Sequence, residues 1–513
     1  MTTITASPES PRTVTPVSPR LGVEVLGTAL VLGIAGDALL RGTPWGLNVT
    51  LSTALLIAAA APLIRRHRIT IGPDVPWLAI TALLLALAFV RRDAETLAAF
   101  DVIALLVTLA LGAACFHGER ITTLAPWRFV GVVLRGGLTT AVGSLPLLGR
   151  DIPWHELGGS TRARRLRAVL VGVLLAAPLL VVFGALFAAA DMVFDATLAS
   201  LFAVDLEDLV SHALLVVVLA ALAAGYLRWT LMLRPRAAEG SAGLATPGFT
   251  STMTALGLLL LLFLMFVVIQ LRYFFGGAAL VERTTGLTYA EYARQGFFEL
   301  VVASAFLLPV LLGALHTVRD DIAAHRASIR RVLGALLLLH AVIMTSAFAR
   351  LRLYVEAFGL SEDRLYAAAV MVFLAGVFAW LAATELRGRG RRFTFGSLLH
   401  GYGVLAALHL LNPDAFITRT NLARADAGAR AFDAEYAVTL GADAVPPLLE
   451  ALPRLEPSAR CRVVASLLDR WAGEDGDWRS WNWSRARARR LVRDQAGALQ
   501  EMRCPTAQPS EAR

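Results

Sequence analysis

Lysine is absent from this 513-residue chain, and all 48 of its basic residues are arginine. We attribute that to the composition of the source genome rather than to function. Charge is scarce too: 17% of residues are charged, against about a quarter in ordinary soluble domains. Cysteine occurs only at Cys115, Cys461 and Cys504, and this spacing matches no metal signature. No Walker-type phosphate loop, GxSxG elbow, HExxH helix or CxxC pair occurs, which removes the nucleotide, hydrolase, metalloprotease and thiol-redox classes those motifs mark. The Gly-Arg-Gly-Arg-Arg-Phe run at 388–393 is an arginine cluster of the topology-setting kind, not a nucleotide loop. No histidine-kinase module, ATP-driven transport module or fixed repeat period is present. Nor are the inverted repeats with broken helices that point to a secondary transporter. Residues 1–20 lack the basic start and cleavage site of a signal peptide and read as a disordered Thr/Ser/Pro-rich tail.

What the chain has is apolar length. It is 57% hydrophobic with a mean hydropathy of +0.62. Repeated apolar runs of about 18 residues predict an all-α, polytopic transmembrane helical bundle. About eleven spans are expected, at 21–40, 47–64, 76–90, 97–116, 166–190, 209–231, 253–274, 296–315, 332–353, 366–386 and 395–411. They form a first group of four (21–116) and a core of seven (166–411). Between them lies a basic loop, 117–165, read as cytoplasmic with a surface-lying amphipathic helix. A further span there is the alternative. Residues 412–499 form a small helical segment outside the membrane, and 500–513 a disordered tail.

Arginine sets the orientation. With the N-terminus cytoplasmic, the inward segments hold 24 arginines and the outward loops 9, as the positive-inside rule expects. The C-terminal segment is then extracytoplasmic, and its arginines count little because long tails translocate regardless of charge. The net charge of +9 follows from these clusters and does not imply nucleic acid. Cys115, inside an apolar run, reads as a buried small hydrophobe, whereas Cys461 and Cys504 would pair only in an oxidising compartment.

Four chemically loaded stretches fall at outward helix ends. The first carries Asp191 and Asp195. The second runs from Leu271 to Val301. There Tyr273, Gly276 and Gly277 form an aromatic, glycine-hinged end, and Tyr289, Tyr292, Arg294 and Glu299 open the next helix. The third carries Arg350, Arg352, Tyr354, Asp363 and Arg364. The fourth carries His409, Asn412, Asp414, Arg419 and Asn421. Interfacial helix ends commonly bear aromatic and charged residues, so a structural belt competes with a functional face at each. Within the spans, Asp37, Asp101, Glu299, His340, His400 and His409 are ionisable, and such residues tend to face the bundle interior. A lone histidine is more often packed and hydrogen-bonded than a metal ligand, and no metal or cofactor is expected.

The segments YFFGG…TYAEYARQGFFEL, SAFARLRLYVEAFGLSEDRL, NPDAFITRTNLAR and WRSWNWSR together resemble a bacterial family of polytopic membrane proteins. That family is known as domain of unknown function 4173, with a relative numbered 4153. Ser361 stands where the family pattern has threonine. The likeness runs over about 188–490 and implies a membrane location in a cell envelope but no activity. Three readings of function follow. The first is a non-enzymatic envelope sensor, assembly or partner protein, whose partners are the lipid bilayer and another envelope protein. The second is a transporter or channel-like protein using the intramembrane ionisable groups. The third is a membrane enzyme on a lipid-linked substrate. It would use Asp191, Glu291, Glu299 or Asp363 as acid or base and Arg294, Arg350 or Arg352 to hold a phosphate. The partner reading expects an exposed aromatic patch around Trp478–Trp483.

Overall fold

A computed structural model describes residues 19–42, 44–152, 206–233, 248–285, 297–317, 323–388, 390–428, 431–474 and 476–503, with isolated positions between 154 and 191. The described residues are helical, in segments joined by short turns, with no strand among them. The first helices are α1 (Pro19–Leu40), α2 (Leu47–Arg66), α3 (Val75–Arg91), α4 (Glu95–Cys115) and α5 (Pro126–Val142). Next come α6 (Leu206–Leu231), α7 (Phe249–Thr285), α8 (Phe297–Thr317), α9 (Ala323–Phe358), α10 (Glu362–Thr384) and α11 (Phe393–Leu411). The C-terminal segment adds α12 (Pro413–Asp426), α13 (Val445–Ala451), α14 (Pro457–Trp471), α15 (Trp483–Asp494) and α16 (Ala496–Glu501).

Eight described helices are long and apolar enough to cross a membrane. There are nine if α5 and its continuation Ser144–Asp151, bent by 53°, count as one span. Among the described residues, then, eight of the expected eleven meet that length and composition. The segments at 76–90 and 296–315 form apolar helices shorter than that threshold. The one at 166–190 lies almost wholly outside the described residues. Apolar side chains such as Leu258, Phe306 and Leu338 are exposed at 65%, 70% and 69% along these helices, as lipid-facing surfaces require.

The chain divides into two compact units. One comprises Met1–Arg41, Leu55–Ile71 and Arg135–Arg234. In it α1 packs along α6, and each end of α1 carries an ion cluster. Glu24 pairs with Arg66 at 3.2 Å and His67 at 3.0 Å, and Asp37 pairs with Arg41 at 2.8 Å and His212 at 2.6 Å.

The other unit comprises Gly42–Ala54, Gly72–Leu134 and Pro235–Arg513. Its membrane core joins α7 to α10 through fully buried Leu311, Leu336 and Met371. Helices α7 and α9 run parallel with a constant offset: Phe249 stacks on His325, and Gln270 Oε1 accepts from Ser346 at 3.0 Å and Arg350 at 2.8 Å. At 37 and 36 residues they reach about 55 Å, well beyond a hydrocarbon core of about 30 Å. Here the structure departs from the expected hinge: α7 continues through Gly276 and Gly277 to Thr285. Two adjacent glycines weaken a helix by only about 1 kcal/mol each, which flanking apolar turns can absorb.

The C-terminal segment has its own core, in which Leu448, Leu452, Val463, Val464, Leu467, Trp471 and Val492 are buried. Burying each side chain of this size contributes about 1.5–3 kcal/mol. Leu360, just before α10, and Leu365, in its first turns, belong to the same cluster as Ile417 and Leu422 of α12, so this segment packs on the start of α10. Cys461 is disulfide-bonded, Cys115 is free and buried, and Cys504 lies outside the described residues.

Candidate functional site

The polar centre of the second unit forms where three turns meet. Asn412 ends α11 in the left-handed conformation, with φ at 59°. Asparagine tolerates that conformation better than most residues, and Pro413 can then occupy the first position of α12 without a lost donor. The chain thereby reverses and brings 412–414 beside the α3–α4 turn at Arg92 and Asp93. The third turn is Leu440–Asp443, where Gly441 lies against Asp93. A β-carbon at Gly441 would overlap the Asp93 carbonyl oxygen and come within 2.7 Å of Asp414 Oδ2.

Asp443 is the hub. Its Oδ1 accepts from Arg92 Nη1 at 2.9 Å, Asn412 Nδ2 at 3.0 Å and Ser484 Oγ at 2.8 Å. Its Oδ2 accepts from the Asp93 amide at 3.2 Å. Arg92 also donates from Nε and Nη2 to the His409 carbonyl, at 3.1 and 2.8 Å. Asp93 in turn accepts from Arg485 at 2.5 Å and from the Ala442 amide at 3.2 Å. Arg485, only 7% exposed, donates further to the carbonyls of Trp45 at 2.8 Å and Ser480 at 2.6 Å. Asn482 caps α15 by accepting from the Arg485 amide. Its amide nitrogen donates to the carbonyls of Phe89 and Arg92, at 2.7 and 2.8 Å. The Trp478–Arg485 segment is thus fastened to the α3–α4 turn and, through Trp481 O accepting from Leu47 N at 3.0 Å, to the start of α2. Buried charges are tolerable when paired and fully hydrogen-bonded in this way.

Trp478, Trp481 and Trp483 face outward from this clamp with 63%, 43% and 58% exposure, and Trp45 is 47% exposed.

Asp414 sits behind the clamp, 1% exposed. Its Oδ2 accepts from the Gly441 amide at 3.0 Å, while Oδ1 has no partner. Burial, with the charges of Glu362 and Asp443 adding to it, pushes its carboxyl up to about 8. The carboxyl is therefore protonated at neutral pH. Nearby, His409 Nε2 lies 3.0 and 3.1 Å from the two oxygens of Asp101. Two turns deeper, Thr108 donates to the Ala104 carbonyl at 2.6 Å. Its oxygen, 2.6 Å from the Tyr402 hydroxyl, must then accept the tyrosine proton.

The third and fourth loaded stretches also converge. Gly359, with φ at 82°, ends α9, and Asn421 braces the turn by accepting from Leu360 N at 2.8 Å and donating to Leu360 O at 2.7 Å. Ser361 is the N-cap of α10, a position where serine and threonine are both favoured, so its departure from the family pattern is conservative. Arg364 covers the Tyr354 ring at 4.1 Å and donates to the Gly359 carbonyl. Gly359, Leu360, Arg364 and Asn421 line a cleft of about 200 Å³ with Arg424 and Tyr436. Burial raises the Tyr436 hydroxyl to about 12, and it accepts from the Glu362 amide at 2.8 Å.

The remaining candidates stand apart from this centre. Arg350 bonds Gln270, Arg352 pairs with Glu356 on an exposed face, and Arg419, Glu299 and Asp191 are exposed. Asp363 lies in the first turn of α10. Asp195, Tyr289, Glu291, Tyr292 and Arg294 lie outside the described residues, as does the Tyr273 side chain. His340 is 2% exposed and packed against Phe378, and His400 stacks on Phe373. No group of three potential metal ligands occurs among the described residues. Arg92, Asp93, Asp443, Ser484 and Arg485, the strongest parts of the clamp, were not singled out from the sequence. The signal available there was the polar Trp-Asn-Trp-Ser-Arg run.

The helices and this polar end define an all-α, multi-pass membrane protein. Residues 79–451, about three-quarters of the chain, match the family described as Domain of unknown function (DUF4153), and the protein belongs to that family. The match is to the relative of the family whose pattern the motifs resemble, and it begins within α3 rather than near 188. No curated protein and no solved structure matches the chain.

Proposed function

We propose that this protein is a non-enzymatic component of a bacterial envelope, oriented with its N-terminus in the cytoplasm and its C-terminal segment outside. In this reading it acts as an assembly or partner protein for another membrane protein. The carrying observation is the rim of exposed Trp45, Trp478, Trp481 and Trp483 held by a buried polar clamp. A rigid aromatic surface of this kind binds at low entropic cost, and tryptophan dominates protein-binding hot spots. The disulfide at Cys461 supports an oxidising compartment for this segment, as does the arginine ratio of 24 to 9.

The test uses full-length protein in intact cells. A cysteine replacing exposed Gly473 should react with a membrane-impermeant maleimide, and photoreactive residues at Trp478 and Trp483 should each yield the same discrete protein adduct. Reaction of Gly473→Cys only after permeabilisation, or adducts with lipid alone, contradicts the proposal. One observation favours the second reading, a transporter: the paired Asp101–His409 and Thr108–Tyr402 contacts descend between α4 and α11. His340 and His400 do not extend that path, because both are packed against aromatic rings.

A further inference from the structure

Helices α4, α5, α8, α10 and α11 enclose an apolar groove of about 560 Å³. Val107, Phe129, Leu312, Val370 and Leu405 represent its five walls. Ile103 and Val130, also on its lining, are more than half exposed, so the groove opens on the lipid-facing side. It follows α11 from Phe393 to Leu408, a rise of about 22 Å at 1.5 Å per residue. A groove of that length and volume has room for an extended hydrocarbon chain.

One end of the groove is chemically distinct. Thr394, 5% exposed, and Ser397 both line it, and both hydroxyls are buried without a hydrogen-bond partner. Hydroxyls on these helices ordinarily bond back to the carbonyl four residues earlier, as Thr108 does to Ala104 and Thr384 does to Trp380. Ser397 leaves that option unused and so has a proton to give elsewhere. Buried polar groups in native proteins are nearly always paired, so an unpaired donor at the mouth of an apolar groove points to an acceptor brought by an occupant. The start of α11 lies at a helix end, where a lipid's ester linkages sit.

We propose that the groove holds one acyl chain of a membrane glycerophospholipid, with an ester carbonyl accepting hydrogen bonds from Thr394 and Ser397. The chain lies against α11 from its first turn to Leu408. The lipid is a resident ligand, distinct from the exchanging lipid around the helices.

The test is lipid retention by the full-length protein, purified in detergent and counted by extraction and mass spectrometry. Wild type should keep close to one phospholipid per chain. Val107→Phe combined with Val404→Phe fills the groove and should lower retention at least tenfold with an unchanged thermal midpoint. Leu84→Phe, on an outward-facing site, should have no effect. Should the groove-filling variant fail to fold, Thr394→Val with Ser397→Ala provides the second measurement and should lower retention several-fold. Retention that is absent in wild type, or equal in wild type and a folded variant of either kind, overturns the proposal.

Discussion

Asp443→Ala is expected to destabilise the protein by about 3–5 kcal/mol, the range for removing one partner of a buried charge pair. Asp443 is 8% exposed and receives four donors from three separate segments, so its loss strands Arg92, Asn412, Ser484 and the Asp93 amide together. The thermal midpoint should fall by several degrees. Hydrogen exchange should rise first in 478–494, because Ser484 and the turn beneath it lose their common anchor. The exposed pair Asp426–Arg454 is the comparison: Asp426→Ala should cost no more than about 1 kcal/mol, since solvent screens it. Equal effects of the two substitutions would mean that Asp443 is not a hub.

Asp414→Asn should change how stability depends on pH. The native carboxyl is raised to about 8 by burial and by Glu362 and Asp443, whereas an unfolded aspartate titrates near 3.9. A raised carboxyl favours the native state while protonated. Its contribution is complete below about pH 4 and is lost as pH climbs towards 8. Asparagine keeps the shape, accepts from the Gly441 amide and cannot ionise. The variant should match wild type near pH 4 and exceed it at pH 8.5. Each tenfold difference in proton affinity between the native and unfolded carboxyl is about 1.4 kcal/mol, so a separation of about four such factors makes the gap on the order of 5 kcal/mol at the alkaline end. Midpoints measured from pH 4 to 9 check this, and parallel curves for the two proteins would contradict it.

Much of the architecture was legible because apolar length is a one-dimensional signal. Ten of the eleven expected segments have a described helix, and the C-terminal segment is helical where proline and polarity broke the apolar pattern. The Asn412–Pro413 reversal could be read locally, since left-handed asparagine followed by an N1 proline is a two-residue device. The glycine hinge could not. Gly276 and Gly277 permit a turn without requiring one, and the neighbouring residues decided for helix. The clamp was illegible for another reason. Asp443 and Arg92 are 351 residues apart, and each alone looks like an ordinary surface charge. Only the fold reveals that each buries and neutralises the other. Conversely, Arg92 weighs in the arginine balance only as a topology marker, while its guanidinium is in fact committed to Asp443 and the His409 carbonyl.

The central claim is that the C-terminal segment is fastened to the α3–α4 turn by buried charge. A double-mutant cycle on Asp93 and Arg485, whose side chains meet at 2.5 Å, tests it most directly. Unfolding free energies of Asp93→Ala, Arg485→Ala and the double variant should give a coupling of about 1.5–3 kcal/mol, as expected for contacting charged partners. Additivity within about 0.5 kcal/mol would contradict the account.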